Sequence, residues 1–214
     1  MANPEIKAVL FDFGGVILSS PFEAFARYEQ EQGLPAGLIR RLNATDPDSN
    51  AWAALERSEV DLDGFAQRFE AEAAAAGHEV DAHAILALLS GEVRPAMVAA
   101  LRAIKAAGLP LALLTNNFVS GDASTMGPRE EVAEVLALFD HVIESSKAGV
   151  RKPDPAAYKL VLEVLGVEAR HVVFLDDLGI NLKPARALGM TTIKVTDPDD
   201  ALDELQAVLG LDLT

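Results

Sequence analysis

Ala8-Val9-Leu10-Phe11-Asp12-Phe13-Gly14-Gly15-Val16-Ile17-Leu18 is the stretch whose reading decides the fold. An apolar run ends in one carboxylate, and a pair of glycines follows within three residues. Val9, Leu10 and Phe11 read as a strand buried on both faces, because the run is short and does not alternate with polar residues. Asp12 then stands where that strand leaves the sheet. Gly14 and Gly15 allow a sharp turn and a close approach of backbone to whatever Asp12 faces. In an open parallel sheet, ligands bind at the carboxyl ends of the strands. A carboxylate placed there is a candidate nucleophile, a candidate metal ligand, or a plain turn residue.

The rest of the chain bounds the choice. At 214 residues it can bury a full core, and it suits one ordinary domain or a core with an insertion. Half the residues are apolar but only 6% are aromatic, so Ala, Leu, Val and Ile must build most of the core. The formal charge of −15 argues against nucleic acid and against an anionic membrane surface as partners. That charge would also repel an anionic substrate unless a local cation reversed the sign at the site. There is no cysteine, which rules out disulfides and thiolate chemistry and permits a reducing cytoplasm. Met1 to Glu5 lacks the basic start and apolar stretch of a secretory leader, and no apolar run reaches the roughly 18 residues that span a bilayer. The expectation is a soluble, cytoplasmic protein.

Working outward from Asp12, residues 21 to about 78 show helical patterns and no strand pattern. Phe22, Phe25 and Tyr28 begin one helix, which Gly33-Leu34-Pro35 ends. Leu38, Ile39 and Leu42 mark a second, Ala51 to Arg57 a third, and Leu62 to Ala76 a fourth. Beyond this insertion strands and helices alternate. Strands are expected over Leu109 to Leu114, His141 to Glu144, His171 to Leu175 and Thr191 to Val195. Helices are expected over Pro95 to Ala107, Arg129 to Leu138, Ala156 to Leu165, Gly179 to Leu188 and Asp200 to Leu209. Such alternation implies an α/β fold with a parallel sheet and right-handed crossovers. Ser120 to Pro128 reads as a mobile polar loop.

Three more strand ends carry chemistry. Thr115-Asn116 offers a hydroxyl followed by backbone N–H groups, a way to hold phosphate oxygens. Lys152 lies in a stiff proline turn, Pro153-Asp154-Pro155, which holds the ammonium in place. Asp176-Asp177 pairs two carboxylates that repel unless a cation or a proton lies between them, and hard oxygens of this type suit Mg²⁺. Asn181 follows four residues on. Taken together, these residues have the parts of metal-assisted phosphoryl transfer.

On these motifs the chain resembles the haloacid dehalogenase-like hydrolase superfamily over essentially its whole length. Asp12-Phe13-Gly14-Gly15-Val16, Leu113-Leu114-Thr115-Asn116, Lys152 in Arg-Lys-Pro-Asp-Pro, and Phe174-Leu175-Asp176-Asp177 occur in that family's order. The stretch from Phe174 to Arg186 is similar to the N-terminal phosphatase domain of soluble epoxide hydrolases and to the related domain fused to some acyl-CoA dehydrogenases. The resemblance implies a Rossmann-like three-layer α/β/α core at residues 1–18 and 80–214, with a helical cap of the C1 type at 19–79. It implies that Asp12 attacks phosphorus, that Thr115, Asn116 and Asn117 hold the phosphate, and that Lys152 steadies the charge. It also implies Mg²⁺ on Asp12, Asp176, Asp177 and the Gly14 carbonyl, and a small phosphorylated metabolite as substrate for a monomer or homodimer.

One position departs from the family. Its phosphatases carry a second Asp two residues after the nucleophile, where this chain has Gly14. That Asp moves protons at the leaving group and at water, work typically worth about 10²- to 10⁴-fold. A slow phosphatase, a 2-haloacid dehalogenase using Asp12 on carbon, and a catalytically impaired binding or regulatory protein are the readings this leaves open. The cap is expected to set the substrate through Ser19, Ser20, Arg40, Arg41, Asn43, Asp48, Asn50 and Trp52.

Overall fold

The computed structural model describes residues 5–89, 91–117 and 129–213. The expected loop at 120–128 lies outside them. Among the described residues five strands form one sheet: β1 (Ala8–Phe11), β2 (Leu111–Thr115), β3 (His141–Glu144), β4 (Val172–Asp176) and β5 (Thr191–Lys194). Their order is β3-β2-β1-β4-β5, and every pairing is parallel. β1 lies at the centre, so Asp12 leaves the sheet between the ends of β2 and β4. Among the described residues no helix is long and apolar enough to cross a membrane.

Side chains alternate along each strand, and this builds two cores. Val9, Phe11, Leu111, Leu113, Val173 and Leu175 pack on one face with helices α6 (Pro95–Ala106), α7 (Arg129–Leu136) and α11 (Pro198–Leu209). Ala8, Leu10, Ala112, Leu114, Val172 and Phe174 pack on the other with α9 (Pro155–Leu165) and α10 (Gly179–Leu188). Burial on both faces is why these strands read as continuous apolar runs. The result is the three-layer α/β/α fold that the sequence implies.

Among the described residues, the segment between β1 and α6 holds five helices: α1 (Phe22–Glu31), α2 (Leu38–Ala44), α3 (Ala51–Glu56), α4 (Leu62–Ala75) and α5 (Ala82–Ala87). They enclose a third core. Trp52, Phe65 and Phe69 form its centre, with Trp52 and Phe65 ring centroids 4.6 Å apart and Phe65 stacked on Phe69 at 5.3 Å. Ala82, Ile85 and Leu86 belong to this core, so the helical packing runs past residue 79. The chain leaves and re-enters the sheet region at one place. Leu18 bridges Val93, Ser19 N–H donates to Glu92 O at 2.8 Å, and Arg94 N–H donates to Ile17 O at 2.9 Å. Gly91 allows this closeness, since a Cβ there would lie 2.7 Å from Ser19 O.

Several boundaries differ from expectation. β2 extends to Thr115, whose backbone is in register with Glu144. β4 starts at Val172, because Ala169–His171 forms a 3₁₀ turn, and it ends on Asp176 itself. α8 (Ser145–Ala148) is one helical turn beyond the expected elements.

Candidate active site

The end of β1 fixes the first carboxylate. Asp12 N–H donates to Leu175 O at 2.9 Å, so its backbone still follows β4. Its Oδ1 accepts from Phe13 N–H at 2.7 Å and faces Lys152 Nζ at 2.7 Å. The turn that follows needs Gly15, whose φ is +76° and whose Cα faces the Asp177 carboxylate so closely that a Cβ would overlap it. Gly14 differs: a Cβ there would meet nothing within 4 Å.

Lys152 is 1% exposed and Asp176 fully buried. The ammonium bridges two carboxylates, with Nζ 2.7 Å from Asp12 Oδ1 and 2.7 Å from Asp176 Oδ2. Asp176 is held from behind as well. Leu178 N–H donates to its Oδ1 at 2.8 Å, and Asn181 Nδ2 lies 3.1 Å from both oxygens. Tyr158 supports Asn181 in turn, donating its hydroxyl to Asn181 O at 2.6 Å. Burial pushes the Tyr158 phenol up, which keeps it a donor.

Asp177 completes the cluster. Ligand oxygens of Asp12, Asp176 and Asp177 lie within 4.8 Å of one another. Three carboxylates and one ammonium leave excess negative charge in a buried place. Burial pushes the Asp12 carboxyl up, and Asp176 and Asp177 add to this against the pull of Lys152. Burial and Asp176 push Asp177 up to about 6. Burial alone would lower Lys152, but Asp12 and Asp176 outweigh it and keep the ammonium charged. A hard oxygen donor set with unbalanced negative charge fits a divalent cation.

Thr115 and Asn116 stand beside this cluster at the end of β2. Asn116 is committed to holding the lysine loop: Lys152 N–H donates to its Oδ1 at 2.9 Å, and its Nδ2 donates to Lys152 O at 2.9 Å. The Asn117 side chain turns to the end of β3, donating to Glu144 Oε1 at 2.7 Å and accepting from Ser146 Oγ at 2.9 Å. Asp12, Gly14, Thr115, Asn116, Asn117, Lys152 and Asp177 all line one cleft of about 520 Å³, and the helical segment forms its other wall.

Of the cap residues singled out in the sequence, Ser19, Arg40, Asn43 and Trp52 line this cleft. The others have local work. Asn50 caps α3 through Ala53 N–H, Arg41 donates to Ala36 O, the Asp48 carbonyl accepts from Arg57, and Ser20 Oγ accepts from Phe22 N–H. Trp52 is packed into the helical core, with its Nε1 buried and unpaired.

Sequence reasoning missed Glu56. This last residue of α3 reaches across to the sheet: Asn116 Nδ2 donates to its Oε2 at 3.2 Å. Arg151 Nε makes a charge contact with the same oxygen at 2.5 Å. Ser145 Oγ lies 3.0 Å from the Glu56 carbonyl. Glu56 is 60 residues from Asn116, so no local pattern announces the contact.

A sequence model described as haloacid dehalogenase-like hydrolase matches residues 6–189. The chain belongs to the haloacid dehalogenase-like hydrolases. Among the relatives of this hydrolase, acyl-CoA dehydrogenase family member 10 of Mus musculus is 36% identical over 97% of the chain. Bifunctional epoxide hydrolase 2 of Sus scrofa is 33% identical over 97% of it. The chain spans only 19% and 40% of those two proteins. A sesquiterpene phosphatase of Aspergillus oryzae is 27% identical over 95% of the chain and 97% of its own length. A solved dehalogenase structure superposes with TM-score 0.63 at 19% identity, covering 95% of this hydrolase and 97% of the other chain.

Proposed function

We propose that this hydrolase cleaves phosphomonoesters of small metabolites with Mg²⁺, through an aspartyl-phosphate on Asp12. The observation that carries the reading is the buried Lys152 clamped between Asp12 and Asp176 with Asp177 alongside. A phosphoryl group brings negative charge to the site, and one lysine among three carboxylates does not offset it. Asp176 spends both oxygens on Lys152, Asn181 and Leu178. Asp12, Asp177 and the Gly14 carbonyl are therefore the groups we assign to the metal. When bound, Mg²⁺ supplies positive charge against the phosphoryl oxygens.

The protein's own residues do the rest. Phe13 N–H and Lys152 Nζ fix the Asp12 carboxylate through Oδ1, which orients it for attack on phosphorus. Thr115 Oγ and the Asn116 N–H donate to phosphoryl oxygens. Lys152 balances the charge that leaves Asp12 and returns to it. The helical segment, which we propose as the cap, offers a mostly apolar wall of Pro21, Phe22, Phe25 and Leu89, so the favoured esters have an apolar body. The sesquiterpene phosphatase among the relatives agrees with that wall. The cysteine-free, acidic chain suits the cytoplasm.

Phosphate release from a panel of alkyl and aryl phosphates, with Mg²⁺ or with EDTA, tests the reading. Release with Mg²⁺ that vanishes in Asp12→Asn is expected. Chloride release from 2-chloropropionate without metal would instead assign Asp12 to attack on carbon.

A further inference from the structure

Phosphoester hydrolysis through an aspartyl-phosphate needs a proton twice. The leaving alkoxide must take one, and the water that attacks the phosphoenzyme must give one up. Gly14 has no side chain to do this. The described residues lining the cleft include no histidine, tyrosine or cysteine. Their carboxylates are Asp12, Asp177 and Glu56. Asp12 is the nucleophile, and Asp177 belongs to the three-carboxylate cluster. The Lys152 ammonium is locked between two carboxylates and held above its ordinary range, which makes it a poor acid.

We propose that Glu56, delivered from the helical cap, is the proton-transfer residue that stands in for the side chain Gly14 lacks. The inference rests on the phosphatase reading and deepens it. In-line displacement places the leaving oxygen on the far side of phosphorus from Asp12. Asp12 enters the cleft from the sheet and Glu56 enters it from α3 of the helical segment. Both described contacts of the carboxylate, from Arg151 and Asn116, fall on Oε2, and Oε1 is the oxygen that carries the proton. Burial pushes the Glu56 carboxyl up, while Arg151, Lys152 and Asn116 oppose this.

The steps balance as follows. An Asp12 carboxylate oxygen bonds to phosphorus as the ester P–O bond breaks. The electron pair goes to the leaving oxygen, which takes the Glu56 proton and departs as the alcohol. Water then attacks the aspartyl-phosphate and gives a proton to Glu56. The P–O bond to Asp12 breaks with its pair returning to the carboxylate, and inorganic phosphate leaves.

Rapid-quench kinetics on the full chain with Mg²⁺ test this, using a primary alkyl phosphate and p-nitrophenyl phosphate. In Glu56→Gln, p-nitrophenol is expected in a burst of one equivalent followed by slow turnover. The good leaving group needs no acid, but water still needs a base. The alkyl ester is expected to lose the burst, with turnover down about 10²- to 10⁴-fold. Adding Gly14→Asp, whose side chain has open space, is expected to restore the alkyl ester, and Glu56→Asp to retain part of it. On the unaltered chain, the burst rate is expected to differ less than about tenfold between the two esters, which general-acid help predicts. That measurement needs no variant to fold.

Equal slowing of both bursts in Glu56→Gln, unrelieved by Gly14→Asp, would reduce Glu56 to a positioning residue for Asn116 and Arg151 and overturn the assignment. Unchanged kinetics in Glu56→Gln would overturn it as well. No phosphate release by the unaltered chain would instead overturn the phosphatase reading, and the assignment with it.

Discussion

Gly14 and Gly15 are neighbours under opposite constraints. Gly15 has a left-handed φ of +76° and the Asp177 carboxylate against its Cα, whereas Gly14 has open space. Gly15→Ala carries a backbone strain of about 1–2 kcal/mol and displaces Asp177. It should lower Tm by roughly 2–8 °C in a chain of this size and weaken Mg²⁺ binding, by thermal melting and calorimetry. Gly14→Ala should leave Tm within about 1 °C, because it removes nothing and meets nothing. Asp12→Asn should remove phosphate release by at least about 10³-fold while the fold persists, read as phosphate release beside an unchanged circular dichroism spectrum. At this scale the sequence was informative where a residue sits at a strand end. Asp12, Thr115 and Asp176 are legible because β1, β2 and β4 are unbroken apolar runs that stop at them. Glu56 was not legible, because its meaning depends on a contact across 60 residues. Asn117 read as a phosphate residue beside Asn116, yet its side chain is spent on Glu144 and Ser146.

The elements bring these residues together through one seam. The end of α3 meets the β2 and β3 ends where Ser145, the first residue of α8, is 1% exposed. Its hydroxyl accepts from Asn117 N–H at 3.0 Å and lies 3.0 Å from the carbonyls of Glu56 and Asn117, to which its single proton is available. Ser145→Ala leaves a buried N–H unpaired, at a cost of about 1–3 kcal/mol by urea unfolding. It should also loosen α3 and raise KM more than it lowers kcat. α8 has four residues, too few for a 3.6-residue period to show, so residues 145–148 gave no helical signal. α10, with ten residues and Gly189 at its end, was legible to both boundaries.

At the scale of the whole molecule, the carboxylate cluster links stability to pH and to metal. The Asp177 carboxyl, pushed up to about 6, binds its proton more tightly in the folded protein than in the unfolded chain. The folded state therefore holds more protons between the ordinary carboxylate range and about pH 6, and stability falls as pH rises through that window. A cation seated on the cluster relieves the cost. Added Mg²⁺ should raise Tm more at about pH 7.5 than at about pH 5, and its affinity should fall roughly tenfold for each pH unit below 6. Equal shifts at both pH values would count against the cluster as the metal site.

The three hydrophobic cores share no residue: two sandwich the sheet, and the third is closed within the helical segment. Among the described residues, the polypeptide passes between the sheet cores and the helical core at the paired crossing of Leu18 and Val93. Asp12 and Lys152 thus belong to one packing unit and the cleft's apolar wall to another. The bonds that position Asp12 come from Phe13, Leu175 and Lys152, none of which lies in the helical segment. Selection can retune which molecule is chosen while the reacting apparatus is inherited intact, with one exception. If Glu56 carries the proton, the helical unit cannot drift freely at that position, and a lineage that regained Asp in place of Gly14 would be released from the constraint.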